Sequence, residues 1–351
     1  MTCSAPSVLF DETVRGKIEA YLGDAPVVVF SVMRNEVVRV RAWLTHYQAM
    51  GASRFVVIDN GSTDGTLDIL AQAGVFVVET RASYAASNYG TAWLSDFSAT
   101  IRPGVIVINA DADELLIYDG WPHTRVMEFL HDFRSSEYDT IFGFLLDMYP
   151  DGRAAAAAGD VDDLFSAAPL HDKDYIFRCR PVRPWERSSK SIEILGGPRA
   201  RMLSSIKDQQ RSTWLSYLVQ GQIDRLIYRT PASLVRPLVR MFPRQMPSLS
   251  KYPIFKTSRL SLRNAHGPTG RKIYPWNVVL CHFKFLDDFE SKASEEAKRG
   301  EHYRRGSEYI MYLDGLSEAK CGFRYDGSVR FSVPNLVERG LIRNISEFVQ
   351  A

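Results

Sequence analysis

The sequence has no CxxC pair, no apolar run long enough to cross a bilayer, and no glycine-rich loop after its first strand-like segment. Its four cysteines, at 3, 179, 281 and 321 of 351 residues, are far apart. That spacing excludes a structural zinc ribbon and gives no disulfide framework. A spanning helix needs roughly 18–20 apolar residues, and no segment approaches that length. The first residues, MTCSAPSVLFDETVRG, turn acidic early and lack an apolar core, so no signal peptide is expected. The default placement is cytoplasmic, with peripheral attachment at the inner face of the membrane as the alternative. Excess charge is also lacking: the net value is +2, which gives no global footprint for nucleic acid.

What is present is an ordinary globular composition, 45% hydrophobic and 24% charged. The first 150 residues alternate two periodicities. Strand patterns fall at 25–33 (APVVVFSVM), 54–59 (RFVVID), 75–79, 105–109 and 140–146 (TIFGFLL), and helical patterns at 36–50, 66–73 and 88–100. Ser62 or Thr63 is expected to cap the helix at 66. Strands separated by helix-length segments predict βαβ units in a mostly parallel sheet flanked by helices, an α/β fold. The natural division is 1–150 as one half and 151–351 as an elaborated second half. A strand is expected at 278–285 and a charged helix at 286–305.

Ligands of open α/β sheets sit beyond the carboxyl ends of the strands. Three such ends carry polar clusters: Arg34-Asn35-Glu36, Asp59-Asn60, and Asp111-Ala112-Asp113-Glu114. The last is abrupt, since VIVINADADELL (105–116) runs from a buried-looking strand straight into acids. Unpaired carboxylates are costly to bury. Asp111 and Asp113 can both reach one hard cation, and Mg²⁺ or Mn²⁺ uses one or two protein carboxylates plus phosphate oxygens. The bland alternative is a pair of turn acids. For Asp59-Asn60 it is a plain Asx turn.

Three motifs in order narrow the choice. MRNE (33–36), HYQAMGASRFVVIDNGSTDGT (46–66) and NADADELL (109–116) together resemble the glycosyltransferase family 2-like GT-A superfamily. The closest branch is bacterial, with a DMYPDG-like segment (147–152) and a late histidine motif, HFKFLDDFESKASEEAKRG (282–300). The resemblance covers 27–150 and returns at GGPRARM (196–202) and 276–300. It implies a GT-A fold whose second half, 151–351, forms the acceptor side. It also implies metal-dependent transfer from a nucleotide-diphospho-sugar to a glycan or lipid-linked acceptor, in surface polysaccharide synthesis.

The resemblance places Arg34, Asn35, Glu36, Asp59, Asn60, Asn88 and Asp111 around the donor. It places Asp111, Asp113 and a C-terminal histidine on Mn²⁺ or Mg²⁺. His282 ends a strand-like run and is preferred to His266. Lys251 and Lys284 could meet diphosphate charge but read first as solvated lysines. For the base that activates an acceptor hydroxyl, the candidates are Asp147, Glu186 and Glu193, and Asp147 is chosen because it follows a predicted strand.

From 199 to 244 there are nine Lys or Arg against two Asp, and apolar residues are interleaved with arginine through this basic insertion near 205–250. Such a segment suits an anionic membrane surface or an ordinary packing helix. Two rivals stand beside the transferase. A sugar-phosphate nucleotidyltransferase would need a glycine-rich phosphate loop where this chain reads SVMRNEVVRV. A catalytically silent GT-A binding module would not need the two aspartates.

Overall fold

The computed structural model describes residues 9–152, 163–180, 191–199, 249–257, 262–264, 267–268, 272–301 and 323–346. The basic insertion near 205–250 falls almost wholly on 200–248, outside them, as do Glu186 and His266. No helix among the described residues is long and apolar enough to cross a membrane.

The chain has the expected α/β fold, a large sheet flanked by helices. In chain order the strands are β1 (Val27–Met33), β2 (Phe55–Asp59), β3 (Phe76–Glu79), β4 (Ile106–Asn109), β5 (Glu114–Ile117), β6 (Thr140–Asp147), β7 (Leu170–Asp172), β8 (Tyr175–Arg180), β9 (Ser191–Gly196), β10 (Ser250–Lys256), β11 (Leu262–Asn264), β12 (Gly267–Pro268), β13 (Val278–His282) and β14 (Ser328–Arg330). The principal sheet runs β3-β2-β1-β4-β10-β6-β13-β5. Its ladders are parallel for β1 with β2, β2 with β3, β1 with β4 and β6 with β13. They are antiparallel where β10 meets β4 and β6, and where β5 meets β13. Strands from both sides of residue 150 therefore share one sheet.

Period-two burial sorts each strand's side chains between two apolar layers. Val27, Val29 and Met33 of β1 face α2 (Val37–Ala49) and α3 (Thr66–Gln72). Val28 and Phe30 face α1 (Glu12–Leu22) and α4 (Thr91–Thr100), where Phe30 stacks on Phe97 at 4.8 Å between ring centres. With both faces covered, the strands read as continuous apolar runs.

Three features depart from the sequence reading. The cap at α3 is Gly65, in the left-handed region at φ 90°, and Asp64 accepts from the Thr66 N–H at 3.1 Å; Ser62 is used elsewhere. β10 lies in the middle of the sheet despite Pro253, which cannot donate to a ladder. Its register shifts between Lys251 and Ile254, and Gly143 on β6 makes room, since a Cβ there would stand 3.0 Å from the proline ring. β5 continues directly from the acidic turn as the last strand of the sheet. Its outer edge is closed by α2: the Tyr47 hydroxyl donates to the Glu114 carbonyl at 3.1 Å and accepts from the Leu116 N–H at 3.2 Å. His46 Nε2 donates to the Leu116 carbonyl at 2.9 Å. Burial lowers the His46 pKa to about 4, so it serves there as a neutral donor.

Candidate functional site

β1, β2, β4, β6 and β13 all end at one edge of the sheet, and β10 and β5 begin there. The polar ends of seven strands thus meet along a single line.

On the β1–β2 side the loops are zipped together by their own polar groups. Asp59, almost wholly buried, accepts from the N–H groups of Gly61 and Ser62 at 2.9 Å each and from the Ser62 hydroxyl. That is an Asx turn at the strand end. Asn35 takes the left-handed backbone at φ 52°, donates its N–H to Ser62 Oγ at 3.0 Å and accepts from the Thr63 N–H at 2.9 Å. Glu36 and Val37 donate their N–H groups to Thr66 and Asp64. Asn60 donates to the carbonyls of Thr80 and Ala82. Asn88 sits exposed in the turn before α4, also in the left-handed region.

A helix after β13 then crosses these loops: α8 (Phe289–Arg299), numbered after α5 (Val126–Phe129), α6 (His131–Ser135) and α7 (Leu164–Ala167). Glu295 accepts from Arg34 at 3.3 Å and from Asn35 Nδ2 at 3.4 Å. Lys292 pairs with Glu36, and Arg299 donates to Asn60 Oδ1 at 2.6 Å. Just past the helix, Glu301 accepts from the Ser83 hydroxyl at 2.6 Å and the Ala85 N–H at 2.9 Å. The helix thus meets Arg34, Asn35, Glu36 and Asn60, all expected donor contacts.

On the β4–β13 side the charges form two linked groups. In the first, Lys251 at the start of β10 is buried and reaches Asp111 at 3.3 Å and Glu114 at 2.5 Å. Glu114 also accepts the Asp111 N–H at 2.9 Å, folding the acidic turn back on itself. Burial and the charge of Asp111 push Glu114 up to about 7 against the pull of Lys251. Asp111 keeps about half of its side chain in solvent. The solvated reading of Lys251 is corrected here, because the lysine is buried and supplies the counter-charge that the buried Glu114 requires, while also reaching the half-exposed Asp111.

In the second group, His282 stands between two carboxylates. Its Nε2 is 3.2 Å from Asp113 and its Nδ1 is 2.7 Å from Asp147. Asp147 is fully buried and takes a two-pronged bond from Arg199, at 2.7 and 2.8 Å. Burial alone would raise the Asp147 pKa, but Arg199 and His282 outweigh it and hold it at about 2. Burial likewise opposes the imidazolium, yet Asp113 and Asp147 raise His282 to about 9. The Phe283 N–H donates to the Asp113 carbonyl at 2.7 Å, fixing the two loops side by side.

Asp111, Asp113 and His282 thus meet at one edge, with Asp113 and His282 in direct contact and Asp111 turned to Lys251. Among the described residues no three Asp, Glu, His or Cys side chains gather closely enough to enclose a metal alone. Asp113 and His282 nevertheless fit a cation that completes its shell with phosphate and water. With the ring charged, Nε2 donates its proton to Asp113 at 3.2 Å; once that proton is released, two acceptors face each other there and a cation can take its place. Glu193 lies on β9, opposite Arg178 in register, and its side chain is not among those described. Arg199 and Tyr84 were missed in the sequence. Tyr84 packs against Tyr89 and Trp93 at the start of α4, and burial, with the charges of Asp111, Glu114, Glu296 and Asp113, raises its pKa strongly. Arg199 had one signal, the GGPR turn, in which Gly196 and Gly197 adopt φ 134° and 76°.

No family model matches the chain and no curated protein matches it. Among solved structures it is similar to glucosyl-3-phosphoglycerate synthase from Mycobacterium tuberculosis. The complex with Mn²⁺, UDP and glucosyl-3-phosphoglycerate aligns at 16% identity and a TM-score of 0.25, over 42% of this chain and 50% of that one. The complex with Mg²⁺ and UDP aligns at 16% identity and 0.25, over 38% and 47%. A mycobacterial protein aligns at 16% and 0.26, over 42% and 47%. The chain spans about half the length of these structures.

Proposed function

We propose that this chain is a metal-dependent glycosyltransferase that moves a sugar from a nucleotide-diphospho-sugar to a glycan or glycolipid hydroxyl. The observation that carries the reading is the opposed pair Asp113–His282 at the carboxyl ends of parallel strands, beside the Asp111–Lys251–Glu114 group. In this proposal Asp113 and His282 would hold Mn²⁺ or Mg²⁺, with Asp111 kept beside them by Lys251. A cation bound there neutralises charge developing on the departing diphosphate.

The chain's own residues do the rest. Lys251 keeps Asp111 and Glu114 from repelling the phosphates. The β1 and β2 loops, held by Asp59, Asn35 and Asn60, shape the nucleoside end, and Arg34 can exchange Glu295 for donor oxygens. Asp147 has both oxygens engaged and is held near pKa 2, whereas a base working near neutrality needs a free oxygen and a higher value. The proposal therefore gives Asp147 no proton to carry.

A panel of nucleotide-sugars incubated with and without Mn²⁺, followed by detection of released nucleoside diphosphate, tests the reading. Metal-dependent release from at least one donor supports it. A nucleotidyltransferase would release pyrophosphate from a nucleoside triphosphate instead, and a silent module would turn over nothing.

Two outcomes bear on the surroundings of the site. The Arg34–Glu295 pair is substantially exposed, so it exchanges easily. Glu295→Ala should free Arg34 and Asn35 and tighten nucleoside diphosphate binding by no more than about fivefold. A loss of affinity would mean that Glu295 itself touches the donor. The basic insertion is proposed to meet anionic lipid, because Arg236, Arg240 and Arg244 share one helical face if that segment is helical. The protein should co-sediment with anionic vesicles at low salt and be released at high salt. Supernatant protein at low salt would contradict this.

A further inference from the structure

We propose that Asp147, clamped by Arg199, is a positioning residue for His282. It holds the imidazole so that Nε2 faces the Asp113 carboxylate, and a cation that displaces the Nε2 proton finds both side chains already aligned. The inference rests on the reading above that Asp113 and His282 hold a cation.

The parallel register of β6 and β13 sets Asp147 directly opposite His282. Asp147 takes the two-pronged bond of Arg199 and so meets the ring as a carboxylate, which can only accept, and the proton of the 2.7 Å contact therefore lies on Nδ1. In the neutral ring Nε2 is then the bare nitrogen, and it is the atom that faces Asp113. Turning the ring over would aim carbon atoms at both carboxylates, so the two contacts together fix its orientation. Metal-bound histidines commonly have their second nitrogen held in this way.

The Asp147 side chain is not needed to join the strands. The Met148 N–H already donates to the His282 carbonyl at 2.9 Å and continues the ladder past the end of β6. Nor is the carboxylate there by default, since a buried aspartate requires a counter-charge. Arg199 supplies it through Nε and Nη2, itself 6% exposed. An ion pair buried at this depth, with one oxygen shared between the guanidinium and the imidazole, is an expensive way to end a strand. It is an effective way to hold a ring.

The test compares full-length wild type with Asp147→Asn, Arg199→Lys and His282→Ala. Free Mn²⁺ is followed by electron paramagnetic resonance in the presence of a nucleoside diphosphate. Asp147→Asn should weaken Mn²⁺ by about 10–100-fold, approaching His282→Ala, with an unchanged circular dichroism spectrum. Arg199→Lys keeps the charge but loses the fork, so it should show a smaller loss; it carries the test if Asp147→Asn fails to fold. With Mg²⁺ in place of Mn²⁺ and ¹⁵N-labelled histidine, the wild-type His282 Nδ1–H proton should be strongly deshielded, and Asp147→Asn should abolish that signal. A merely structural aspartate would leave it unmoved. If His282→Ala weakens Mn²⁺ while Asp147→Asn and Arg199→Lys bind as wild type does, the positioning inference falls and the cation reading stands. If all three bind as wild type does, the cation reading itself falls.

Discussion

Asp113→Asn should leave a folded protein in which Mn²⁺ no longer strengthens nucleoside diphosphate binding. The aspartate faces His282 Nε2 at 3.2 Å, and its pKa is held well below the usual carboxylate range: burial works against this, but His282, Arg39 and Lys292 prevail. The amide is nearly isosteric, so packing survives while the charge that would balance the cation is lost. A bound metal supplies several kcal/mol of charge stabilisation in phosphate chemistry. At about 1.4 kcal/mol per decade, kcat/KM should fall by roughly 10²–10⁴. Asp111→Asn should cost less, because Asp111 is half exposed and already shares Lys251 with Glu114. Equal losses in the two variants would mean that both aspartates bind the cation directly. Undiminished metal dependence in Asp113→Asn would remove the aspartate from the site.

Arg39→Met should destabilise the fold by about 3–5 kcal/mol, the usual consequence of stripping one partner from a buried ion pair. Arg39 is buried on α2 and makes two 2.6 Å bonds to Asp288. Its Nε donates to the Phe283 carbonyl at 3.1 Å, and Glu36 stands 3.6 Å away. Methionine fills much of the volume and satisfies none of these acceptors. The segment it releases, 283–288, leads from His282 into α8, so the loss should also loosen the helix across the β1 and β2 loops. The urea midpoint gives the magnitude, and adding Asp288→Asn should recover part of it by removing an uncompensated charge. A single-variant loss below about 1 kcal/mol would show that water replaces the guanidinium without strain.

The first four parallel strands were legible because each is covered on both faces and bounded by turn residues, so local pattern and global position agree. The acidic turn was legible for a related reason: VIVIN followed by DADE is a local contradiction, and such contradictions mark sites. β10 was not legible, because a proline inside a strand pattern argues against a central strand, and the glycine that accommodates Pro253 lies more than a hundred residues earlier. β5 looked like the tail of the acidic turn, and its partners, β13 and the α2 side chains, are equally remote. The same distance hid the charge partners of the site. Lys251 reads as a surface lysine until β10 is seen to start between the two acids, and Asp147 reads as a strand-end base until Arg199 is brought to it from 52 residues away. The sequence names the groups that meet at this edge, Asp111, Asp113 and His282, but not the contacts that pair them.

The central claim is that Asp113 and His282 hold a divalent cation against a donor diphosphate. Calorimetric titration of UDP, GDP, ADP, CDP and dTDP into the full-length protein, with Mn²⁺ and then with EDTA, tests it most directly. At least one nucleotide should bind with Mn²⁺ and lose tenfold or more in affinity with EDTA, and Asp113→Asn should show that lower affinity under both conditions. Binding of equal strength with and without the metal, or no binding by any of the five, would contradict it.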